Sequence, residues 1–387
     1  MRVRAGTGMS TLQDAAEAGR EAASAAAKAL AGEPPALVVV FTTPRYDLPE
    51  LLAGIRSVTG SATLVGCTGA GQMVQGRHMG FGAGVSVLTL TAGPYRFGAG
   101  SAGHIRDDLN RAGQEIARAS REAAGHSPQA TVLLLADALA GDLQELVSGI
   151  YRITGPRAPL VGGAASDELR FVRTFVFHNE QVIEGGAVAL WIASEQPLPV
   201  VTKHGWAPIG VPLLVTRATG TEIMELGGRP AADAYEAQLG LNPGELSSGE
   251  FWGTSIYHPF GLLQPDGSFV IRMARSKTAD GTLSIHGCVP PPGSAVQVMS
   301  GTADTLLGVV EELANSALST HPEPAALLAF SCAARMKIYG MRVQEEASRL
   351  QTAAGNIPTF GIYSCGEFSR SVGVLGTHNA TLTALVL

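Results

Sequence analysis

Residues 326–350 read ALLAFSCAARMKIYGMRVQEEASRL, and residues 357–370 read IPTFGIYSCGEFSR. In the first segment an apolar run predicts a buried strand that ends at Cys332, and a stretch with helical periodicity follows it. In the second segment another apolar run predicts a strand that ends at Tyr363 and leads into Ser364, Cys365, Gly366 and Glu367. Polar residues therefore follow buried strands, which is where α/β folds usually place binding sites.

The same strand–helix–strand pattern occurs twice more, earlier in the chain. Val38 precedes Gly66 by 28 positions, and Leu134 precedes Gly162 by the same 28. In the C-terminal copy, which has a longer helix, Leu328 precedes Gly361 by 33 positions. Each of the last two copies is followed by a His-Asn pair, His178-Asn179 and His378-Asn379, which we expect at equivalent hairpin turns. Such repetition indicates internal duplication of a strand–helix–strand–hairpin unit.

Residues 200–300 interrupt this pattern with short predicted antiparallel strands and Gly and Pro turns. Alanine-rich residues 10–31 and residues 101–124 are predicted helices. We divide the chain into an N-terminal module, 1–197, and a C-terminal module, 198–387. The predicted fold class is mixed α/β, that is α+β, with two modules related by internal duplication, largely antiparallel or mixed sheets, and helices packed outside.

Composition narrows the classes of function. The 387 residues are 45% hydrophobic and 16% charged, which is typical of a well-buried globular protein. A net charge of −6 disfavours nucleic-acid binding, and no apolar run approaches the roughly 18 residues of a membrane span. The four cysteines form no C-x-x-C pair, so we predict free thiols, no metal and no cofactor. We expect a cytoplasmic protein.

One glycine motif points to a function that the rest of the sequence does not support. Residues 98–103 read GAGSAG, which fits G-x-G-x-x-G, but no acidic residue follows at the spacing that a dinucleotide site requires. We therefore predict a glycine turn that opens a helix. The glycine-rich strand exits at 66–71 and 162–167 are either anion-binding nests or tight turns. The sequence contains no P-loop, H-E-x-x-H or G-x-S-x-G motif.

Cys332 and Arg335 are the most distinctive local pair. A helix N-terminus after the strand would lower the pKa of the Cys332 thiol, whereas burial would leave it inert. Arg335 could hold a ligand carboxylate in a bidentate pair, or could pair with Glu345 or Glu346. Spacing alone favours the structural alternative slightly.

The segment Tyr363–Glu367 places a hydroxyl, a thiol and a carboxylate at one strand end. Glu367 could act as a base, could bind a ligand ammonium, or could cap a helix or pair with Arg335. His378 and Asn379 could contact a ligand, although Asn is equally a turn residue. A cysteine hydrolase would need a base beside Cys332 or Cys365, and His378 is the conceivable partner.

The ordered set of motifs resembles the FIST family, with both its N-terminal and its C-terminal modules. The N-terminal resemblance rests on LVGCTGAGQM at 64–73, LLLADAL at 133–139, LVGGAASDELRF at 160–171 and FHN at 177–179. The C-terminal resemblance rests on VTRATGTEIMELGGRPAADAY at 215–235, HPFGL at 258–262, FSCAAR at 330–335, IYSCGEF at 362–368 and THNATL at 377–382. Together these motifs span nearly the whole chain.

The resemblance implies a sensory domain that binds a small ligand, with amino acids suggested. It assigns the family's motif positions to Cys332, Arg335, Gly366, Glu367 and Asn379. Ser364-Cys365 and Gly227-Gly228 depart from the family pattern, so the ligand stays unspecified.

Three hypotheses follow. The first is a ligand-binding protein whose site comprises Cys332, Arg335, Tyr363–Glu367, His378 and Asn379, with Arg335 on a ligand carboxylate and Glu367 on its ammonium. A downstream signalling protein would then carry the signal, since no output segment is recognisable in the sequence. The second is a hydrolase or transferase that uses Cys332 or Cys365. The third is a scaffold that binds another protein.

Overall fold

The computed structural model describes residues 2–125, 127–155, 157–286, 289–370 and 375–387. Helices and strands occur throughout these ranges, and the strands form four sheets. The predicted mixed α/β class, with antiparallel and mixed sheets and helices on the outside, is confirmed.

Three parts of the chain, here called repeats 1, 2 and 3, share one order of elements: a strand, a helix, two parallel strands joined by a helical segment, a hairpin and a last strand. Repeat 1 contains β1 (Ala5–Ser10), α1 (Ala15–Ala27), β2 (Leu37–Thr42), α2 (Leu48–Thr59), β3 (Thr63–Thr68), β4 (Gly71–Val74), β5 (Arg77–Met79) and β6 (Val85–Leu90). Repeat 2 contains β7 (Arg96–Ala102), α3 (Leu109–Ala124), β8 (Gln129–Asp137), α4 (Leu143–Thr154), β9 (Leu160–Ala165), β10 (Phe175–His178), β11 (Gln181–Glu184) and β12 (Ala187–Ser194).

Repeat 3 is split by an insertion of residues 204–302, here called the insert. The insert contains β14 (Ala207–Pro208), β15 (Leu213–Thr219), β16 (Glu222–Leu226), β17 (Arg229–Pro230), α5 (Ala231–Gln238), α6 (Ser248–Ser255), β18 (Phe260–Leu263), β19 (Phe269–Arg272), β20 (Ala274–Lys277), β21 (Leu283–Ile285) and β22 (Ala295–Ser300). Around it, repeat 3 consists of β13 (Val200–Lys203), α7 (Ala303–Leu318), β23 (Leu327–Cys332), α8 (Ala333–Tyr339), α9 (Val343–Ala354), β24 (Thr359–Ser364), β25 (Glu367–Arg370), β26 (Thr377–His378) and β27 (Leu382–Val386). Single 3-10 turns occur at Lys28–Leu30, Ile105–Asp107 and Gly340–Arg342.

Each repeat contributes a parallel strand pair to its own six-stranded sheet. The pairs are β2 with β3, β8 with β9, and β23 with β24. The last strand of each repeat lies antiparallel to the first member of its pair, and the first strand of the repeat lies beside that last strand. Both faces of the parallel pairs are buried, which explains why their sequences are continuous apolar runs.

The hairpins do not stay with their own repeats. The β4–β5 hairpin of repeat 1 pairs with β24 of repeat 3, and the β25–β26 hairpin of repeat 3 pairs with β9 of repeat 2. The β10–β11 hairpin of repeat 2 pairs with β3 of repeat 1. Every six-stranded sheet therefore contains strands from two repeats. Two of these exchanges cross the predicted boundary at 197/198, and that boundary stays a prediction.

The inner faces of the three six-stranded sheets meet in one core. Phe41 of repeat 1 stacks on Phe360 of repeat 3 with ring centroids 5.0 Å apart, and it meets Phe330 edge-on. Leu135 and Val161 of repeat 2 are buried in the same cluster. Burial of each such side chain stabilises the fold by about 1.5–3 kcal/mol, so the three repeats hold one another together.

The G-x-G-x-x-G segment lies on a strand, so the predicted helix-opening turn is wrong. Gly98 and Gly100 belong to β7, and α3 begins only at Leu109. A β-carbon on Gly98 would lie 2.1 Å from the backbone nitrogen of Ala124. Glycine is needed here because helix α3 packs directly on the backbone of the strand.

The insert forms a nine-stranded sheet with its own core. The insert also packs against repeat 3, where Trp206, Met273 and Met299 form one cluster with Leu306 and Ile338. The indole nitrogen of Trp206 donates to the carbonyl of Ala380 at 2.8 Å. The insert is thereby seated over the strand ends that carry the predicted site residues.

Candidate functional site

A small chamber lies where the insert, repeat 3 and the β9–β10 loop (residues 166–174) meet. It is walled by Leu169, Phe171, Trp252, Met273, Arg275, His286, Cys332, Ala333, Ala334, Ser364, Cys365 and Asn379. The surface that these residues expose to the chamber is almost wholly apolar. The volume of the chamber is about 30 Å³. That is room for about two water molecules, so a larger ligand requires part of the wall to move.

The structure brings most of the predicted site residues to this chamber or beside it. Cys332, Ser364, Cys365 and Asn379 line the chamber itself. Gly366, Glu367 and His378 line a neighbouring cavity of about 10 Å³, which shares Cys365 and Asn379 with the chamber. Arg335 and Tyr363 are absent from the described linings of both cavities.

Both thiols in the chamber wall are held in their protonated form. Burial raises the pKa of the Cys365 thiol to about 12, although a hydrogen bond with Ser166 opposes this. Burial also raises the pKa of Cys332 well above its ordinary value, and the nearby Glu367 adds to the rise. The thiolate is the nucleophilic form of cysteine, so this environment does not favour cysteine chemistry.

Glu367 is a fully buried carboxyl group whose hydrogen-bond partners among the described residues are hydroxyl and amide groups. One oxygen accepts hydrogen bonds from the backbone nitrogen and the hydroxyl of Thr381, at 3.1 and 2.8 Å, and the other accepts from the Ser364 hydroxyl at 3.0 Å. Burial raises the pKa of Glu367 to about 8 despite these bonds. It neither caps a helix nor hydrogen-bonds Arg335, so those two structural alternatives are wrong.

The two His-Asn pairs are not equivalent, which corrects the expectation from the sequence. Asn179 occupies the turn between β10 and β11 with a left-handed backbone, and its side-chain oxygen accepts from the backbone nitrogen of Leu64. His378 instead ends β26, opposite Glu367. Its Nε2 hydrogen-bonds the carbonyl of Ser369 at 3.0 Å, and burial lowers its pKa to about 4. Because its pKa is low and its Nε2 is held by a backbone carbonyl, the imidazole of His378 is a weak base.

Asn379 joins repeat 3 to the insert. Its backbone nitrogen donates to the carbonyl of Ile271 at 3.2 Å, and its side-chain oxygen accepts from the backbone nitrogen of Met273 at 3.2 Å. The residue therefore fixes the insert strand that forms one wall of the chamber.

Arg335 pairs with Glu346, the structural alternative that the sequence left open. Both side chains are fully buried, and Nε and Nη2 of Arg335 lie 3.0 and 2.9 Å from one Glu346 oxygen. The guanidinium also donates to the carbonyls of His204 and Leu306, and it lies 5.5 Å from the centre of the Tyr339 ring. Every guanidinium nitrogen thus has a protein acceptor.

Tyr363 lies on the helix-covered face of its sheet. Its ring meets His78 edge-on at 5.3 Å, and burial raises the pKa of its hydroxyl well above the ordinary value. Within the described chain it packs in the cluster of α7 and β23 rather than against the chamber.

The β9–β10 loop is part of the site that the sequence did not identify. Glu168, Leu169 and Phe171 all have left-handed backbone conformations, with φ of 61°, 62° and 56°. Such strain persists only where the surroundings enforce it, and it concentrates at functional sites. Here the Asp167 carboxylate accepts from the backbone nitrogens of Phe171, Val172 and Arg173, at 2.6 to 3.0 Å. The motif SDELRF was noticed in the sequence as a strand exit and as part of the family resemblance, but not as part of the site.

The insert supplies the other wall that the sequence missed. Trp252 comes from α6, Arg275 from β20, and His286 follows β21. The Arg275 guanidinium lies 5.6 Å from the centre of the Phe171 ring, and His286 meets the same ring edge-on at 6.3 Å. No local sequence signal marks these residues, since they reach the chamber only through the fold of the insert.

Comparison with known protein families gives two adjoining matches. Residues 36–229 match the FIST N domain, and residues 231–370 match the FIST C domain. The chain belongs to the FIST family. The resemblance inferred from the motifs is thereby confirmed, and the chamber described above lies between parts of both FIST matches.

Full-length relatives of this FIST protein occur in mycobacteria. An uncharacterized protein of Mycobacterium tuberculosis is 29% identical over 98% of this chain and 97% of its own length. An uncharacterized protein of Mycobacterium bovis is 28% identical with the same coverage. Among solved structures, cyanuric acid hydrolase from A. caulinodans aligns over 100% of this chain and 99% of its own with a TM-score of 0.34 and 10% identity. That likeness is too weak to bear on fold or activity.

Two further properties hold for the part of the chain that the structure describes. Within it, no helix is both long and apolar enough to cross a bilayer. The same part of the chain holds no group of three or more His, Cys, Asp or Glu side chains arranged to bind a metal ion.

Proposed function

We propose that this FIST protein is a cytoplasmic sensor that binds a small organic molecule in the chamber and transmits binding to a partner protein. The observation that carries the proposal is the convergence of three separate parts of the chain on one apolar chamber. FIST domains are regarded as small-ligand sensory domains, which supports the same function. The described cysteines are free thiols, in keeping with a reducing compartment.

Ligand entry requires the β9–β10 loop to move, because the chamber holds only about two water molecules. Phe171 and Leu169 are the wall residues on this loop, and both are half-buried. Movement would release their left-handed backbone conformations, so part of the cost of opening is offset by relief of strain. The loop would thereby signal ligand binding to a partner through its change of conformation.

Amino acids are the specific ligand class that the family resemblance suggests, but Arg335 is not proposed as their carboxylate partner. Its guanidinium is held by Glu346, and Glu367 lies outside the described chamber wall. An Arg335→Ala variant would also be a poor test of binding, because breaking a buried ion pair costs about 3–5 kcal/mol whether or not a ligand binds.

The proposal is tested by a thermal-shift screen of the purified chain against amino acids and small organic acids, amides and alcohols. A ligand present at about 100 times its dissociation constant stabilises the folded protein by about 2.7 kcal/mol. Ala334→Leu fills the chamber from α8 and should abolish the shift. Ala123→Leu, on the exposed face of α3, is the matched control and should keep it.

A ligand that still shifts the melting temperature of Ala334→Leu would show that the chamber is not its binding site. The absence of any hit with folded protein would shift weight to the other two hypotheses, a cysteine-dependent enzyme or a scaffold. Rapid alkylation of Cys332 or Cys365 at neutral pH would then favour the enzyme, whereas stable protein complexes in pull-down experiments would favour the scaffold.

A further inference from the structure

A wider groove adjoins the chamber on its solvent side. Its volume is about 370 Å³, and it is lined by Arg106, Ala138, Leu139, Gly141, Phe171, Val172, Thr221, Arg275, Ser284, Ile285 and His286. Phe171, Arg275 and His286 line both the groove and the chamber. These three side chains therefore lie between the groove and the chamber.

The groove carries positive charge that nothing in its described wall neutralises. Arg275 is exposed and makes no ion pair or hydrogen bond with any residue in the described ranges, and its guanidinium lies over the Phe171 ring. Arg106 donates to the carbonyl of Leu139 and forms no salt bridge with described residues. Asp107, Asp137 and Glu184 line an adjoining recess that shares Arg106, Leu139 and Val172 with the groove.

We propose that the groove binds the carboxylate of an organic acid through Arg275, assisted by Arg106, while the apolar part of the same molecule enters the chamber. A guanidinium presents a planar pair of donors that matches a carboxylate. Arg275 lies between the groove and the chamber, so an acid held there directs its tail toward the apolar wall. The inference rests on the proposed function and names its ligand class.

The chamber wall favours an acid without an ammonium group. Its described lining contains no aspartate or glutamate, so an amino acid would bury its ammonium without a carboxylate partner. An unpaired buried charge of this kind is costly. Glu367, the acid just beyond Cys365, is already satisfied by Ser364 and Thr381.

Entry of the tail would displace Phe171 from between Arg275 and His286. This exchange releases the Arg275 guanidinium from the ring at the moment when the ligand carboxylate arrives. Binding of the acid and movement of the β9–β10 loop are thereby coupled through one contact.

The test uses the full-length chain and calorimetric titration with butyrate, hexanoate and phenylacetate, each beside its primary amide. The acids should bind at least about tenfold more tightly than the amides, since a lost hydrogen bond to a charged group weakens binding by that order. Arg275→Gln should remove this preference. Arg229→Gln, which removes an exposed arginine elsewhere in the insert, should preserve it.

The outcomes separate this inference from the proposed function. Equal binding of acids and amides, loss of binding only in Ala334→Leu, or no binding of any acid would overturn the carboxylate site. In the first two cases the chamber would still stand as a ligand site. Acid binding that is lost in Arg275→Gln but survives in Ala334→Leu would support the carboxylate site and contradict the chamber.

Discussion

Glu367 shows how one buried side chain makes stability depend on pH. The protonated form of Glu367 can also be hydrogen-bonded. The Ser364 hydroxyl lies 3.3 Å from the carbonyl of Ser331, so it can donate to that carbonyl and accept a hydrogen bond from the carboxylic acid of Glu367. Burial raises the pKa to about 8 from an ordinary value of 4.5. Between these two values the folded chain keeps a proton that the unfolded chain releases.

The free energy of unfolding should therefore fall as pH rises through this window. Each pKa unit corresponds to about 1.4 kcal/mol, so ionisation of Glu367 alone should lower the free energy of unfolding by a few kcal/mol by about pH 9. Glu367→Gln cannot ionise and should be more stable than the wild type at about pH 9, yet similar at about pH 5. Urea denaturation across this range measures the difference.

A matched control separates this effect from the loss of any carboxylate. Glu323 is exposed, so Glu323→Gln should follow the wild-type profile. Parallel profiles for wild type and Glu367→Gln would show that Glu367 is ionised in the folded protein throughout, contrary to the expectation.

At the scale of elements, the sequence identified the strands that are buried on both faces and several strands of the insert. The apolar runs before Gly66, Gly162 and Gly361 are strands as predicted. The first strands of repeats 1 and 2 were missed. Strand β1 contains Gly6 and Gly8, and strand β7 contains Gly98 and Gly100, because a helix packs directly on the backbone of each strand. Their sequences therefore lack the alternation of apolar and polar residues that marks an ordinary strand.

The residues of the candidate site also fall into those that the sequence could predict and those that it could not. Residues at the ends of β23 and β24 could be predicted, because a strand end after an apolar run is a local feature of the sequence. Trp252, Arg275 and His286 could not, since they are separated from Cys332 in sequence and meet it only after the insert folds. The pairing of Arg335 with Glu346 was one of two local alternatives, and burial decided between them.

The close approach of strands β8 and β9 at Gly162 can be tested by substitution. It lies on β9 opposite Phe368 of the incoming hairpin and beside Leu134 of β8. A β-carbon at this position would lie 1.8 Å from the Leu134 carbonyl oxygen. Gly162→Ala must therefore push two strands apart, and we expect it to lower the free energy of unfolding by about 3 kcal/mol or more.

Gly308→Ala is the control for this substitution. Gly308 is exposed on helix α7, and a β-carbon there would meet nothing within 4 Å. Alanine should stabilise the helix by up to about 1 kcal/mol. If chemical denaturation gave Gly162→Ala the stability of the wild type, the close approach of β8 and β9 would not be a constraint on the fold.

At the scale of the whole molecule, the exchanged hairpins make the two FIST modules depend on each other. Without residues 198–387, strand β9 loses β25, and the β4–β5 hairpin loses the sheet that it joins. Without residues 1–197, strand β24 loses β4 and becomes an exposed edge. Unpaired edges of buried sheets promote aggregation and leave backbone groups without partners.

We therefore expect the full-length chain to unfold in one transition and neither half to fold alone. The halves 1–197 and 198–387, expressed separately, should lack dispersed amide resonances and a cooperative denaturation curve. Co-expression should restore both, because each half supplies the hairpin that the other lacks. A cooperative transition in either isolated half would mean that the hairpins can pair within their own module, and the exchange would then be dispensable for folding.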